Sequence, residues 1–474
     1  MINFDDVKNA ESVFRFFEEF SVIPHGSTNT AGIADYLVNF AKARGLEYYR
    51  DEANNVLIKK GATKGYEDRP IVILQGHTDM VAVSVPELDI DMEKDSIEIY
   101  RDGDFLKARG TSLGGDDGVA VAYALAILDS SEIDHPTIEA LFTSDEEIGL
   151  IGATAFDASK LEGKTLVNLD SDAEGIFTVG CAGGVRTDCH LKIERESFEA
   201  KKYAVTVGGL LGGHSGAEIH TGRGNAIKLL GEVLSKLGDI RIADIFGGSA
   251  DNAIPREATA YILTGGDIAP TLSEMADELK SRYAGIDDGI TVSVASAEFD
   301  TEALTKASTD AVISLIGAIK TGVMAMSKDI EGLVESSENI GIIKIADGNL
   351  KLTTSVRSSV DAEKEKLVSV IKESTEALGA TFSTRGDYPG WAFKKDSHLR
   401  DICCEVYRDL YGKDAKVVAI HAGLECGIFS GKIEGLDCVS LGPNGYDIHT
   451  TEERLSISST ARVFDFLKAV LARI

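Results

Sequence analysis

Three apolar runs that break into acids and a histidine constrain the fold of this chain more than any other feature. They are IVILQGH (71–77), TIEALFTSDEE (137–147) and TLVNLDSD (165–172). A strand covered on both faces reads as a continuous apolar run, so IVILQGH predicts a central strand of an α/β sheet, and the other two segments predict further strands that end in acids. Helical patterns surround them: roughly Ala10–Phe20, a second from near Thr30 to the glycine stop at Gly45, and alanine-rich GVAVAYALAIL (118–128). LEYYRD and NVLIKK, joined through Ala53–Asn54, predict a hairpin. The three strands finish in HTD, DEE and DSD. Open α/β sheets place ligands beyond the carboxyl ends of their strands, and that is where these acids and the histidine fall.

A chain of 474 residues exceeds the roughly 250–300 at which a single core stops growing, so a second domain is expected. From about Val185 the texture becomes α+β, with strand-like segments such as KKYAVTVGG and GNLKLTTSVRSS alternating with helices. Near Tyr388–Trp391 the α/β texture returns. The expected division is a discontinuous first domain, 1–184 and 387–474, with 185–386 inserted as the second.

Charge and cysteines limit the partners. Forty-eight basic against 77 acidic residues leave a formal charge of −29, which disfavours nucleic acid and anionic membrane surfaces. No basic segment followed by an apolar run opens the chain, and no run approaches the ~18 apolar residues of a membrane span. The six cysteines show no CxxC pair and read as reduced, mostly buried thiols. A cytoplasmic protein is expected.

Taken singly, the polar motifs have plain readings. His77 in GHTDM suits a core or capping histidine, and Asp116 in GGDDG suits a helix N-cap. Glu146 and Glu147 in SDEEIG suit a solvated loop, Asp170 closes NLDSD, and His449 lies in the late loop NGYDIHTTEE. Together they form two imidazoles and several carboxylates at the edges of apolar segments. Such a set suits a pair of zinc-like ions ~3.5–4 Å apart that share a carboxylate. Asp79, two residues after His77, could orient the imidazole from behind.

GHTDMV, GGDDGVA, TSDEEIG, NLDSD, GGHSGAEIH and the late histidine, in this order, resemble the M20 family of co-catalytic zinc peptidases. HAGLECGIF, GCAGG, DNAIPREA and SSENIG narrow the resemblance to its aminoacyl-histidine dipeptidase branch. The resemblance runs essentially from residue 1 to 474. It implies a zinc-peptidase (phosphorylase/hydrolase-like) α/β catalytic domain with an inserted α+β lid domain. It also implies two Zn²⁺ per chain, replaceable by Co²⁺ or Mn²⁺, with Asp116 bridging, His77 and Asp170 on one ion and Glu147 and His449 on the other. Glu146 is then the general base that activates a water between the metals, and Asp79 braces His77. A cis peptide between Asp116 and Asp117 is expected from the same relatives, although the branch often carries Asn where this chain has Asp117.

In the inserted domain His214 matches a lid histidine that stabilises the oxyanion. Asn252 and Arg357 match lid positions that hold the substrate's backbone and carboxylate, and Gly423 is expected to offer a backbone N–H to the same carboxylate, while an exposed strand arginine is the plainer reading of Arg357. His220, His421 and Glu425 read as structural. GGLLGGHSG has the glycines of a phosphate cradle but neither the GK[ST] nor the GxGxxG order. The implied activity is hydrolysis of dipeptides, Xaa-His such as β-Ala-His and broader unblocked dipeptides. Other M20 activities (tripeptidase, carboxypeptidase, aminoacylase) and a non-catalytic metal- or peptide-binding relative stay open, as does a homodimer through the lid domain.

Overall fold

The structure is a computed structural model that describes residues 2–474. Two compact units emerge. The first comprises Met1–Gly180, Phe393–Ala419 and Leu424–Ile474, and the second Cys181–Ala392 with Ile420–Gly423.

The first unit is built on an eight-stranded sheet. Its strands are β1 (Glu47–Arg50), β2 (Val56–Lys60), β3 (Val72–His77), β4 (Ile138–Thr143), β5 (Thr165–Asn168), β6 (Ile176–Cys181), β7 (Lys416–Ile420) and β8 (Asp437–Ser440). Their spatial order is β1-β2-β4-β3-β5-β8-β6-β7. The run β4-β3-β5-β8 is parallel, and β2 and β6 join it antiparallel. Every residue of β3 and β4 is buried, which accounts for their mostly apolar sequences; the charged exception, Glu139, pairs with Lys59 at 2.8 Å.

Helices α1 (Glu11–Ser21), α2 (Ala31–Arg44) and α3 (Gly115–Asp129) follow the expected pattern with shifted ends. In α1 the residues Phe14, Phe16, Phe17 and Phe20 are buried. Gly45 closes α2 in the left-handed conformation, the usual glycine stop. Helix α3 is apolar all round because it lies inside the core. It begins at Gly115 rather than near Gly118, with Asp116 and Asp117 held in non-helical backbone inside its first turn. The peptide bond between those two residues is cis.

The second unit carries a nine-stranded sheet with its own apolar core. Along its main path the strands run 291–296, 201–208, 258–264, 240–247, 334–346, 349–358, 183–192 and 381–388, and all neighbours are antiparallel. The strands Ile240–Gly247, Val334–Ala346 and Thr381–Tyr388 and the helix Lys306–Ala318 are additions to the elements read from sequence. Among the described residues no helix is long and apolar enough to cross a membrane.

Candidate metal centre and substrate-binding residues

The parallel register sets the site. His77 at the end of β3 lies opposite Thr143 at the end of β4, and Gln75 lies opposite Asn168 of β5. Hydrogen bonds continue past the strand ends: Thr78 N–H to Thr143 O at 2.8 Å, and Leu169 N–H to Gln75 O at 2.9 Å. Glu146, Glu147 and Asp170 therefore emerge from one edge of the sheet beside His77. Below them Gln75, Thr143, Asn168 and Glu425 form a buried polar network. Glu425 Oε2 accepts Thr143 Oγ1 at 2.7 Å and Gln75 Nε2 at 2.5 Å, and Asn168 Nδ2 donates to Gln75 Oε1 at 2.7 Å.

Asp116 stands between the two histidines. Its Oδ1 is 3.1 Å from His77 Nε2 and its Oδ2 is 3.2 Å from His449 Nε2. His449 Nε2 is also 2.9 Å from Glu147 Oε1, and His77 Nε2 is 3.8 Å from Asp170 Oδ1. Three triads thus converge within 4.8 Å: His77–Asp116–Asp170, Asp116–Glu147–His449 and His77–Glu146–Glu147. The first two share Asp116, so all five sequence-expected ligands meet.

Crowded acids shift the protonation equilibria. Burial pushes Glu146 up to about 8, opposed by the His77 charge and reinforced by Glu425, Glu147 and Asp116. Burial and the neighbouring Asp117 charge raise Asp170 as well. For His77, burial alone favours the neutral ring, but hydrogen bonds to Asp116 and Asp79 outweigh it and raise its pKa. Hydrogen bonds to Asp116 and Glu147 lift His449 to about 10. Cations bound between these groups would relieve the repulsion among the carboxylates and replace the protons on both rings. The donor set, imidazole nitrogen and carboxylate oxygen, fits zinc and similar divalent ions.

Asp79 does more than stand behind His77. His77 Nδ1 donates to the Asp79 carbonyl at 3.0 Å, while the carboxylate Oδ1 is 3.5 Å away. That carboxylate instead gathers the next strand's turn. Oδ1 accepts Glu146 N–H at 2.9 Å, and Oδ2 accepts Ser27 Oγ at 2.8 Å and Glu147 N–H at 3.4 Å. Asp117 is buried and accepts the His77 backbone N–H at 3.2 Å.

Glu453 escapes a sequence reading, because an acid at the end of an acidic loop looks solvated. Here it is buried, and its carboxylate faces the backbone just before Asp116. Burial raises its pKa, and the backbone N–H groups of Gly114, Asp116 and Leu113 pull it back.

The second unit holds a separate group of polar residues. His214 pairs with Ala253 in a short antiparallel bridge, and Ser215 N–H donates to Asn252 O at 2.8 Å. His214 Nδ1 accepts the N–H groups of Ala217 at 3.0 Å and Gly216 at 3.3 Å, so the proton of the neutral ring sits on Nε2. Burial, with Arg357 nearby, lowers its pKa and keeps it neutral. Arg357 is buried, against the plain reading of an exposed strand arginine; it donates to Tyr388 Oη at 3.1 Å, and its Nε has no partner. Tyr388 is a further residue that sequence reasoning missed. A Cβ on Gly423 would stand 2.9 Å from the Tyr388 ring, which explains glycine there. His421 Nε2 is 2.7 Å from Ser337 Oγ. Burial and the Arg357 charge hold His421 neutral, down at about 3.

Known proteins are similar to this chain over nearly its whole length. The model of peptidase family M20/M25/M40 matches residues 73–473. The cytosol non-specific dipeptidase of Escherichia coli (strain K12) is 36% identical over 473 residues, covering 98% of this chain and 98% of that protein. The crystal structure of aminoacylhistidine dipeptidase from Vibrio alginolyticus superposes with a TM-score of 0.91 at 36% identity, covering 98% of this chain and 96% of that one. Aminopeptidase PepT from Bacillus cereus shares the fold at a TM-score of 0.57 and 17% identity, covering 98% of each chain. With a match that runs from the strand ending in His77 to the last helix, and relatedness over full length besides, the chain belongs to peptidase family M20/M25/M40.

Proposed function

We propose that this chain is a dinuclear metal dipeptidase that cleaves unblocked dipeptides, Xaa-His among them, in the cytoplasm. The observation that carries the reading is the placement of Asp116, whose two carboxylate oxygens face His77 and His449 separately. The dipeptidase names of the two relatives that match over full length support the substrate class, and the word cytosol in one of them supports the location. The first unit is the catalytic domain, the second the lid domain, and a homodimer through the second unit belongs to the same proposal.

His77 and Asp170 would hold one Zn²⁺, Glu147 and His449 the other, and Asp116 both; Co²⁺ or Mn²⁺ would fit the same donors. When bound, such a pair supplies Lewis acidity toward a water and a carbonyl oxygen. The remaining steps fall to the chain itself. A Glu146 carboxylate oxygen takes the proton of the attacking water and then delivers it to the departing amine nitrogen. Asp79 fixes the turn that aims Glu146. His214 offers its Nε2–H to the oxygen that gains charge at the scissile carbon. Arg357 grips the substrate carboxylate, Gly423 offers its backbone N–H to the same group, and Asn252 holds the substrate backbone.

A substrate panel tests this reading against the other activities of the family. Gly-His, β-Ala-His and several Xaa-Leu dipeptides should be hydrolysed, while tripeptides, N-acyl amino acids and N-blocked dipeptides should not. Faster cleavage of a tripeptide or an N-acyl amino acid would assign the chain a different M20 activity. No turnover of any of them by the metal-loaded protein would favour a binding relative.

A further inference from the structure

The loop that carries His449 lies at the surface and is held mainly by local contacts, an Asp447–Arg454 ion pair and the Thr450 hydroxyl on Asp447 O, with one buried anchor at its end. It leaves the short strand Gly445–Tyr446 and returns at Arg454–Ser456. No residue from Gly445 to Glu452 is buried, and the His449 side chain is 44% exposed. His449 also takes a left-handed backbone, φ +64°, which a residue with a Cβ keeps only where its surroundings hold it there. Glu453, four residues on, is 4% exposed.

The Glu453 carboxylate receives four consecutive backbone N–H groups. Oε2 accepts Leu113 at 2.7 Å and Gly114 at 3.0 Å, and Oε1 accepts Gly115 at 2.8 Å and Asp116 at 3.2 Å. Successive amides converge like this only when the backbone curls, and Gly114 supplies the curl with φ +69°. The last donor of the set belongs to Asp116 itself. One carboxylate therefore ties the His449 loop to the segment that aims Asp116.

Resting on the dinuclear reading above, we propose that Glu453 is a positioning residue for the second metal position. It presets Asp116 Oδ2 and His449 Nε2 at their 3.2 Å separation, so that with Glu147 they receive an ion without ordering a loop first. A carboxylate that merely capped the start of α3 would support the fold and leave the two metal positions equally affected.

The test is a zinc titration of the metal-free full chain, by calorimetry with a competing chelator, for wild type, Glu453→Gln, His449→Ala and the double variant. Glu453→Gln keeps the shape but puts an NH₂ group against N–H donors. Its second equivalent should weaken by at least about tenfold, as for lost outer-shell support of a ligand. Its first equivalent should stay within about twofold, and in the His449→Ala background the same change should add no more than about twofold. Hydrogen exchange of the Leu113–Asp116 amides in the metal-free protein should speed up by about tenfold or more. Equal weakening of both equivalents, full additivity with His449→Ala, or unchanged exchange overturns the proposal. If Glu453→Gln does not fold, Glu453→Asp, one methylene shorter with the same charge, is judged by the same criteria. A wild type that takes fewer than two equivalents overturns the dinuclear reading itself. A wild type that takes two, beside a variant whose second equivalent is unshifted, overturns only the role of Glu453.

Discussion

Asp79 Oδ1 accepts the backbone N–H of Glu146 at 2.9 Å, so a carboxylate two residues beyond His77 fixes the turn that carries the proposed base. Its other oxygen takes Ser27 Oγ at 2.8 Å. Asp79 thereby joins the end of β3 to the turn after β4. Asp79→Asn should lower kcat/KM on Gly-His by about a hundredfold and weaken zinc by roughly 10–100-fold, the usual loss when a ligand's outer support is removed. Ser27→Ala removes only one of the donors to Asp79 and should cost less than about tenfold. Kinetics at saturating zinc separate the two effects. Equal losses in both variants would show that the hydroxyl, not the turn, is what matters.

Glu146→Gln should bind zinc as wild type does and lose about 10²–10⁴ in kcat, the range expected when a general base is removed. The motive is its place next to Glu147, close enough to feel His77 yet outside the two triads that share Asp116. Metal analysis beside steady-state kinetics decides. Wild-type turnover at full metal occupancy would remove Glu146 from the mechanism.

Arg357→Ala should raise KM for dipeptides by at least about tenfold, since a hydrogen bond to a charged group is worth roughly 1.5–3 kcal/mol. Dipeptide amides, which lack the carboxylate, should bind nearly as they do to wild type. Tyr388→Phe removes the hydroxyl that takes a hydrogen bond from Arg357 and should show the same selectivity in weaker form. Equal losses on acids and amides would assign Arg357 to folding instead.

Thermal stability should answer to pH and metal together. In the metal-free protein His449 titrates at about 10 against an ordinary 6.5, and His77 is raised as well. Their contribution is fully present below the unfolded value and disappears as pH rises through the folded one. Glu146, raised from 4.5 to about 8 by burial, changes in the same direction at lower pH. As the proposed ligands, His77 and His449 bind zinc only without the protons on their Nε2 atoms. The gain in Tm on adding zinc should therefore widen between about pH 6 and pH 9. A gain that is constant over this window would argue against His77 and His449 as ligands.

The strands that carry the site are legible because both their faces are buried, so IVILQGH and IEALFT show no alternation to confuse. Acids placed just past such runs mark the ligand edge of a sheet in the sequence itself. The second sheet is harder to read. Val334–Ala346 opens with Ser336, Ser337, Glu338 and Asn339, all buried, and polar residues in series look like a loop. Their partners lie far away in sequence: Asn339 Oδ1 takes Asn225 Nδ2 at 2.9 Å, and Ser337 Oγ meets His421. Tyr388 and Glu453 escape for the same reason. What makes each of them matter is a backbone or guanidinium that only the fold brings near.

The most direct test of the account is activity against bound metal. Protein stripped with a chelator should be inactive on Gly-His and regain activity as zinc is added, reaching its plateau at two equivalents per chain. His449→Ala should bind one equivalent tightly, with the other weakened by about tenfold or more. A plateau at one equivalent, or full activity in the stripped protein, would contradict the assignment of Asp116 as a bridge between two metal positions.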